Sequence, residues 1–218
     1  MLGGEAPGGF GQGSALPAAV PEGACNLRQG RSLRDGWLRR KPAWGGRRLT
    51  GPASLHGLDP DSAGPSDASL ARDPGFAGLL ARSYRHRLGV DLAPSGPDAG
   101  AAARWLYERA PFCLLVHNTA ADPRFVYANR AAQACFGYGW DEMTRLRSRQ
   151  SAGPQDRAER QALIEAVARD GFATGYRGLR VARSGRRFWI EDVTMWQLVD
   201  AAGVLRGQAA AYGRWTDA

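Results

Sequence analysis

The sequence predicts an α+β domain, an antiparallel sheet with short helices gathered between two groups of strands. Three observations carry this. Periodic apolar sequence is concentrated after about Ser66, whereas Met1–Pro65 holds 14 Gly and 7 Pro in 65 residues. That share, about one third, passes the roughly 25–30% that marks low-complexity or disordered chain. Beyond Ser69 the apolar period is first helical, then of strand type, then helical again. The last third reads as three consecutive strands joined by short turns, which makes an antiparallel meander. The expected division is a disordered Gly/Pro/Arg-rich tail over residues 1–66 and one domain over 67–216.

In chain order, Asp73-Pro74 supplies an N-cap followed by proline at the first helical position. Phe76, Leu79, Leu80, Tyr84 and Leu88 then fall at helical spacing, and Gly89 is a natural stop. A second short helix, "DAGAAARWLYERA", ends before Pro111. "FCLLVHNT" and "RFVYAN" read as strands, with Asn118, Asp122 and Pro123 turning the chain between them. Asn129 is placed to cap the small helix that runs to Gly137, and "WDEMTRL" is another helical turn. The helix from Pro154 to Asp170 carries an apolar stripe of Leu163, Ile164 and Val167 and stops at Gly171. The closing strands are "TGYRGLRVA", "RFWIEDVTMWQLV" and "VLRGQAAAYGRW".

The formal charge is +8, and Lys41 is the one lysine among 29 basic residues. A basic balance can be a nucleic-acid footprint. Here the basic residues form no dense one-sided block, so nucleic-acid binding is expected to be weak at most, through the tail segment Arg28–Arg48 with Trp37 and Trp44. That tail reads as a disordered extension, with a start codon set too far upstream as the alternative. Cys25, Cys113 and Cys135 have neither zinc spacing nor an even count, which suits a reducing compartment. No secretory signal and no run of the ~18–20 apolar residues of a membrane span are present, so a cytoplasmic location is expected.

The local strings resemble a known family. "FVYANRAAQACFGY" looks like the PAS stretch in which the second strand ends in a helix-capping Asn, and the last three strands look like those of a PAS domain. "APFCLLVHNTAADPRFVYANRAA", "WDEMTRLRSRQSAGPQDRAERQALIEAV" and "GFATGYRGLRVARSGRRFWIEDVTMWQLVDAAGVLRGQAA" are similar to the MEKHLA domain, a PAS-like family, in its standalone bacterial form. The six-letter string that names the family is absent, as is any homeodomain or zipper. The resemblance implies a five-stranded antiparallel sheet with short helices on one face, an N-terminal helical extension, and ligand or signal sensing. It names no ligand, so any cofactor is unknown. Cys135 in "AQACFGY" lacks the setting of a flavin-adduct cysteine, and the Pro154–Asp170 helix has no His for haem; His117 at a strand end reads as an ordinary hydrogen-bonding residue.

Strict alternation along "RFWIEDVTMWQLV" puts Phe188, Ile190, Asp192, Thr194, Trp196 and Leu198 on one face. A buried acid needs a partner. Asp192 and Thr194 are therefore candidate polar anchors for a ligand, with Trp196, Phe188, Tyr127 and Phe136 as apolar walls and Gln208 as a neutral hydrogen-bond partner. The competing reading pairs Asp192 with Arg180 or Arg187, or turns it outward on a bulge. No catalytic or metal constellation stands out, so the expectation is a non-enzymatic sensory or small-ligand-binding module. The alternatives are a structural protein dimerising through its sheet face, and an uncharacterised enzyme with a pocket under the sheet. A homodimer through the helix Asp73–Gly89 and the outer sheet face is expected.

Overall fold

Helix ends in this chain are set by the residues that close their orphan backbone groups. The computed structural model describes residues 70–94 and 98–218, so the tail expected over residues 1–66 lies outside the described residues. After a 3₁₀ turn at Leu70–Arg72, helix α1 spans Pro74–Leu88. Asp73 accepts a hydrogen bond from the Phe76 N–H, and Gly89 closes the helix in the left-handed region at φ 74°. Helix α2 is Ala99–Glu108, capped by Asp98. Helices α3 (Arg130–Phe136) and α4 (Trp140–Arg145) are short, and α5 is Arg157–Asp170, ended by Gly171 at φ 88°.

Asn129 does more than cap. Its Oδ1 accepts from the Ala132 N–H and the Leu114 N–H, both at 3.0 Å, and its Nδ2 donates to the carbonyls of Phe112 at 2.8 Å and Leu106 at 3.2 Å. One fully buried amide thus ties α3, the first strand and the end of α2 together.

The strands are β1 (Cys113–His117), β2 (Phe125–Ala128), β3 (Phe172–Val181), β4 (Arg187–Val199), β5 (Leu205–Tyr212) and β6 (Arg214–Asp217). They pair antiparallel in the order β2-β1-β5-β4-β3, and β6 continues along β4. The five-stranded expectation therefore gains a sixth strand, because the segment read as one closing strand breaks at Gly213. β5 pairs with Thr194–Val199, and β6 pairs with Phe188–Glu191.

At that change of partner Asp192 takes φ +53°, a left-handed backbone on a non-glycine residue. The bulge slips the alternation of β4 by one residue, since side chains reverse faces with every position. Phe188, Ile190, Val193 and Met195 consequently share one face, and Trp196 and Leu198 point to the other.

Both faces are covered. On one, α1 and α2 pack over Leu114, Val116, Trp196, Leu198, Ala209 and Ala211. On the other, α3 packs over Cys113, Leu115, Phe188 and Tyr212, and α5 lies against β3 and β4. The α1 stripe of Phe76, Leu79 and Leu80 is at most 1% exposed and seals its own sheet. Phe76, Leu79 and Leu80 therefore offer no apolar surface to the dimer expected through this helix, since it is already buried within the chain at roughly 2 kcal/mol per side chain.

Candidate functional site

The sheet face toward α5 ends in a cleft of about 290 Å³. β1 contributes His117 as its last residue, and the register sets it directly opposite Gln208 of β5. Gly207 lets the two strands approach there: a Cβ on it would lie 2.3 Å from the His117 carbonyl oxygen. From α5, Arg160 and Ile164 close the opposite wall, and Asp122 with Arg149 stands at the mouth. Arg149 donates to Asp122 at 2.9 Å, and Arg147 lies 3.6 Å from the same carboxylate, which holds it below the ordinary Asp value.

The floor of the cleft is polar and incompletely bonded. His117 is 6% exposed, and its ring Nδ1 lies 2.8 Å from the Asn118 carbonyl. A carbonyl only accepts, so Nδ1 carries the proton and Nε2 presents a lone pair. That Nε2 has no partner, and neither does Oε1 of Gln208, a residue 7% exposed whose Nε2 donates to the Ile164 carbonyl at 3.5 Å. Burial lowers the His117 pKa to about 4. The Asn118 carbonyl and the neighbouring Gln208 amide oppose that shift, and the Arg160 charge adds to it. The imidazole is neutral at neutral pH.

A smaller apolar space of about 50 Å³, an extension of the site, lies beside the cleft under α5. Leu115, Phe136, Met195 and Tyr212 line it, and Arg160 and Arg180 enter it from α5 and β3. His117, Arg160 and Ile164 belong to both spaces, so cleft and extension share a wall. Arg160 is 8% exposed and donates Nη2 to Ser148 Oγ at 2.7 Å; Arg180 is 6% exposed and donates Nη1 to the Leu179 carbonyl.

The residues proposed from alternation are divided by the bulge. Gln208 is in the cleft floor, and Phe136 lines the extension, in edge contact with Phe188 at 5.2 Å. Trp196 and Tyr127 lie on the opposite face, against Tyr84 and against Phe76 and Trp140. Thr194 is half-buried beside Ala211. Asp192 is turned outward, its side chain 53% exposed and 3.8 Å from Arg214, so neither the pocket anchor nor the pairing with Arg180 or Arg187 applies. These seven side chains are thus not gathered in one pocket: the slip in β4 separates Trp196 from Phe188, and Tyr127 of β2 lies on the α1 face.

Sequence reasoning passed over Arg160 and took Arg180 only as a partner for Asp192. Arg160 stands three, four and seven positions before Leu163, Ile164 and Val167. That spacing puts an arginine on the buried stripe of α5, a legible signal of a cation under the helix. Among the described residues no group of three or more His, Cys, Asp or Glu is placed to hold a metal, and no helix is long and apolar enough to cross a membrane.

The strand order and the helices on both faces are those of a PAS-like domain. Among solved structures, the chain is similar to a PAS domain of a Colwellia psychrerythraea protein, with 16% identity, a TM-score of 0.47, and coverage of 56% of this chain and 98% of that one. It is also similar to an RNA-binding light-oxygen-voltage receptor, at 26% identity and a TM-score of 0.47 over 58% of this chain. A third similarity is to the blue-light activated histidine kinase EL346 of Erythrobacter litoralis, at 21% identity and a TM-score of 0.43 over 52% of this chain. In both of the latter the match spans 35% of the longer protein. No curated protein matches the chain. The MEKHLA domain family matches residues 75–217, about two thirds of the sequence, and the chain belongs to that family.

Proposed function

We infer that this chain is a sensory module that takes a small molecule in the cleft between α5 and the sheet and performs no chemistry on it. One observation carries the reading: His117 and Gln208, both more than nine-tenths buried, face each other in the cleft floor, and neither His117 Nε2 nor Gln208 Oε1 finds a hydrogen-bond partner elsewhere among the described residues. Buried polar groups are almost always bonded, and leaving one unmade costs about 1–3 kcal/mol. A ligand donor satisfies both atoms at once. The cleft and its apolar extension, with a few convergent polar groups, have the make-up of a small-molecule site. The free thiols Cys113 and Cys135 fit the cytoplasmic location this reading carries with it.

Native mass spectrometry of the purified full chain tests the reading. The expected result is a low-mass adduct that is lost on denaturation, or uptake of one equivalent from a metabolite extract with a rise in melting temperature. A chain that retains nothing, and whose melting temperature no extract fraction shifts, overturns it.

A further inference from the structure

Arginine is rarely buried unless it is paired. Arg160 and Arg180 are both more than nine-tenths buried and line one cavity, yet among the described residues neither forms an ion pair. Arg160 uses one donor on Ser148, and Arg180 uses one on a backbone carbonyl while stacking 5.6 Å from the Tyr176 ring. A guanidinium carries five N–H donors in a planar fork. Two such forks therefore bring to the cavity several N–H donors and two positive charges that no carboxylate among the described residues pairs directly. The nearest acid at the mouth, Asp122, is already engaged by Arg149 and Arg147. Burial, with the neighbouring Arg180 charge adding to it, lowers the Arg160 pKa to about 10, so Arg160 is charged at neutral pH. Such an arrangement is costly in the free protein, because uncompensated buried charge is strongly disfavoured.

We propose that the cleft and the smaller space beside it together take a small organic acid, its carboxylate received by Arg160 of their shared wall and Arg180 of the smaller space and an N–H or O–H of its body received by His117 Nε2 and Gln208 Oε1 on the cleft side. This rests on the ligand-binding reading above and names its chemical class. The carboxylate matches the fork of a guanidinium two bonds at a time, which an isolated ammonium or a neutral amide does not. The two acceptors beside it select against a bare apolar acid. The walls of Leu115, Phe136 and Met195 favour a carbon skeleton over an inorganic anion.

The test is calorimetric titration of the full chain with lactate, hexanoate and para-hydroxybenzoate, each beside its neutral amide, and with inorganic phosphate. At least one acid should bind about tenfold or more tightly than its amide, the worth of one charge-assisted hydrogen bond. The hydroxylated acids should outbind hexanoate, and phosphate should bind more weakly than the best carboxylate. Arg160→Gln should abolish the preference for acid over amide, while Arg160→Lys keeps part of it; a melting curve reports whether each variant folds. The comparison of acid with amide on the unaltered chain decides the matter even if both variants fail to fold. Equal affinity for acid and amide, phosphate binding as tight as the best carboxylate, or no binding by any acid at millimolar concentration overturns the assignment. A neutral adduct in native mass spectrometry alongside equal acid and amide affinities would overturn the acid class and leave the cleft a ligand site.

Discussion

Lowering the pH from neutrality should destabilise this domain through His117 in a defined window. The folded ring titrates at about 4, against an ordinary value of 6.5. Burial is the main cause; the Asn118 carbonyl, which accepts the Nδ1 proton, opposes the shift, and the Arg160 charge adds to it. Above 6.5 the imidazole is neutral in both folded and unfolded chains and contributes no pH dependence. Between 6.5 and about 4 the unfolded chain binds a proton that the folded chain refuses, so stability falls as the pH falls. Each pKa unit is worth about 1.4 kcal/mol, so the full loss is about 3 kcal/mol by the lower end of the window. Urea denaturation of the native sequence and of His117→Gln across that window isolates the effect, because the carboxylates are common to both chains. The native sequence should lose stability more steeply by that amount, and a histidine proton resonance should titrate near the lower value. Parallel stability curves for the two chains would refute the burial argument. If an acid occupies the cleft, its negative charge beside Arg160 should raise the His117 value, so saturation with the best carboxylate should flatten the curve.

Three further outcomes follow from the packing. Leu80, fully buried against its own sheet, should not tolerate a charge: Leu80→Glu should give a chain without a cooperative melt by circular dichroism, whereas a folded monomer replacing a dimer in light scattering would restore α1 as an interface. Asp192→Asn should leave melting temperature and ligand retention unchanged, and Asp192→Gly should add up to about 1 kcal/mol in urea denaturation by relieving the positive φ; a loss of binding in either would return Asp192 to the site. Asn129→Ala should cost roughly 3 kcal/mol or more in the same assay, since it removes a helix cap and leaves the buried Leu114 N–H unpaired, and a cost below about 1 kcal/mol would show that the hub relaxes without it.

What was legible in the sequence was local. Asp73-Pro74, Asn129 and Gly171 announce their roles through short-range backbone chemistry: a side-chain acceptor before a helix, or a residue that tolerates positive φ after one. These needs are met within four residues, so the pattern survives without knowledge of the rest of the chain. The strands were legible for the same reason, through apolar runs and Gly-containing turns. His117 was visible as a strand-end histidine, yet nothing near it in sequence says that Gln208, ninety-one positions on, stands opposite.

The site was harder because its composition depends on a single non-local event. β4 runs thirteen residues, longer than either partner on that edge, and it is shared between β5 and β6. Where one partner hands over to the other, the ladder is interrupted, and the chain accommodates this at Asp192 with one residue of left-handed backbone. Asp is among the few residue types for which that conformation is inexpensive, so the residue that read as a buried acid is better explained as the joint of a bulge. Everything after the joint changes sides. Without the slip, Trp196 would project toward α5 and fill the space that the extension occupies, and Met195 would lie under α1. With it, the bulkiest side chain of β4 anchors the α1 core, and Val193 and Met195 leave room beside Arg160 and Arg180. The cavity and the cationic character of its wall are therefore consequences of where β4 changes partners, a property of the assembled sheet that alternation within β4 alone does not encode.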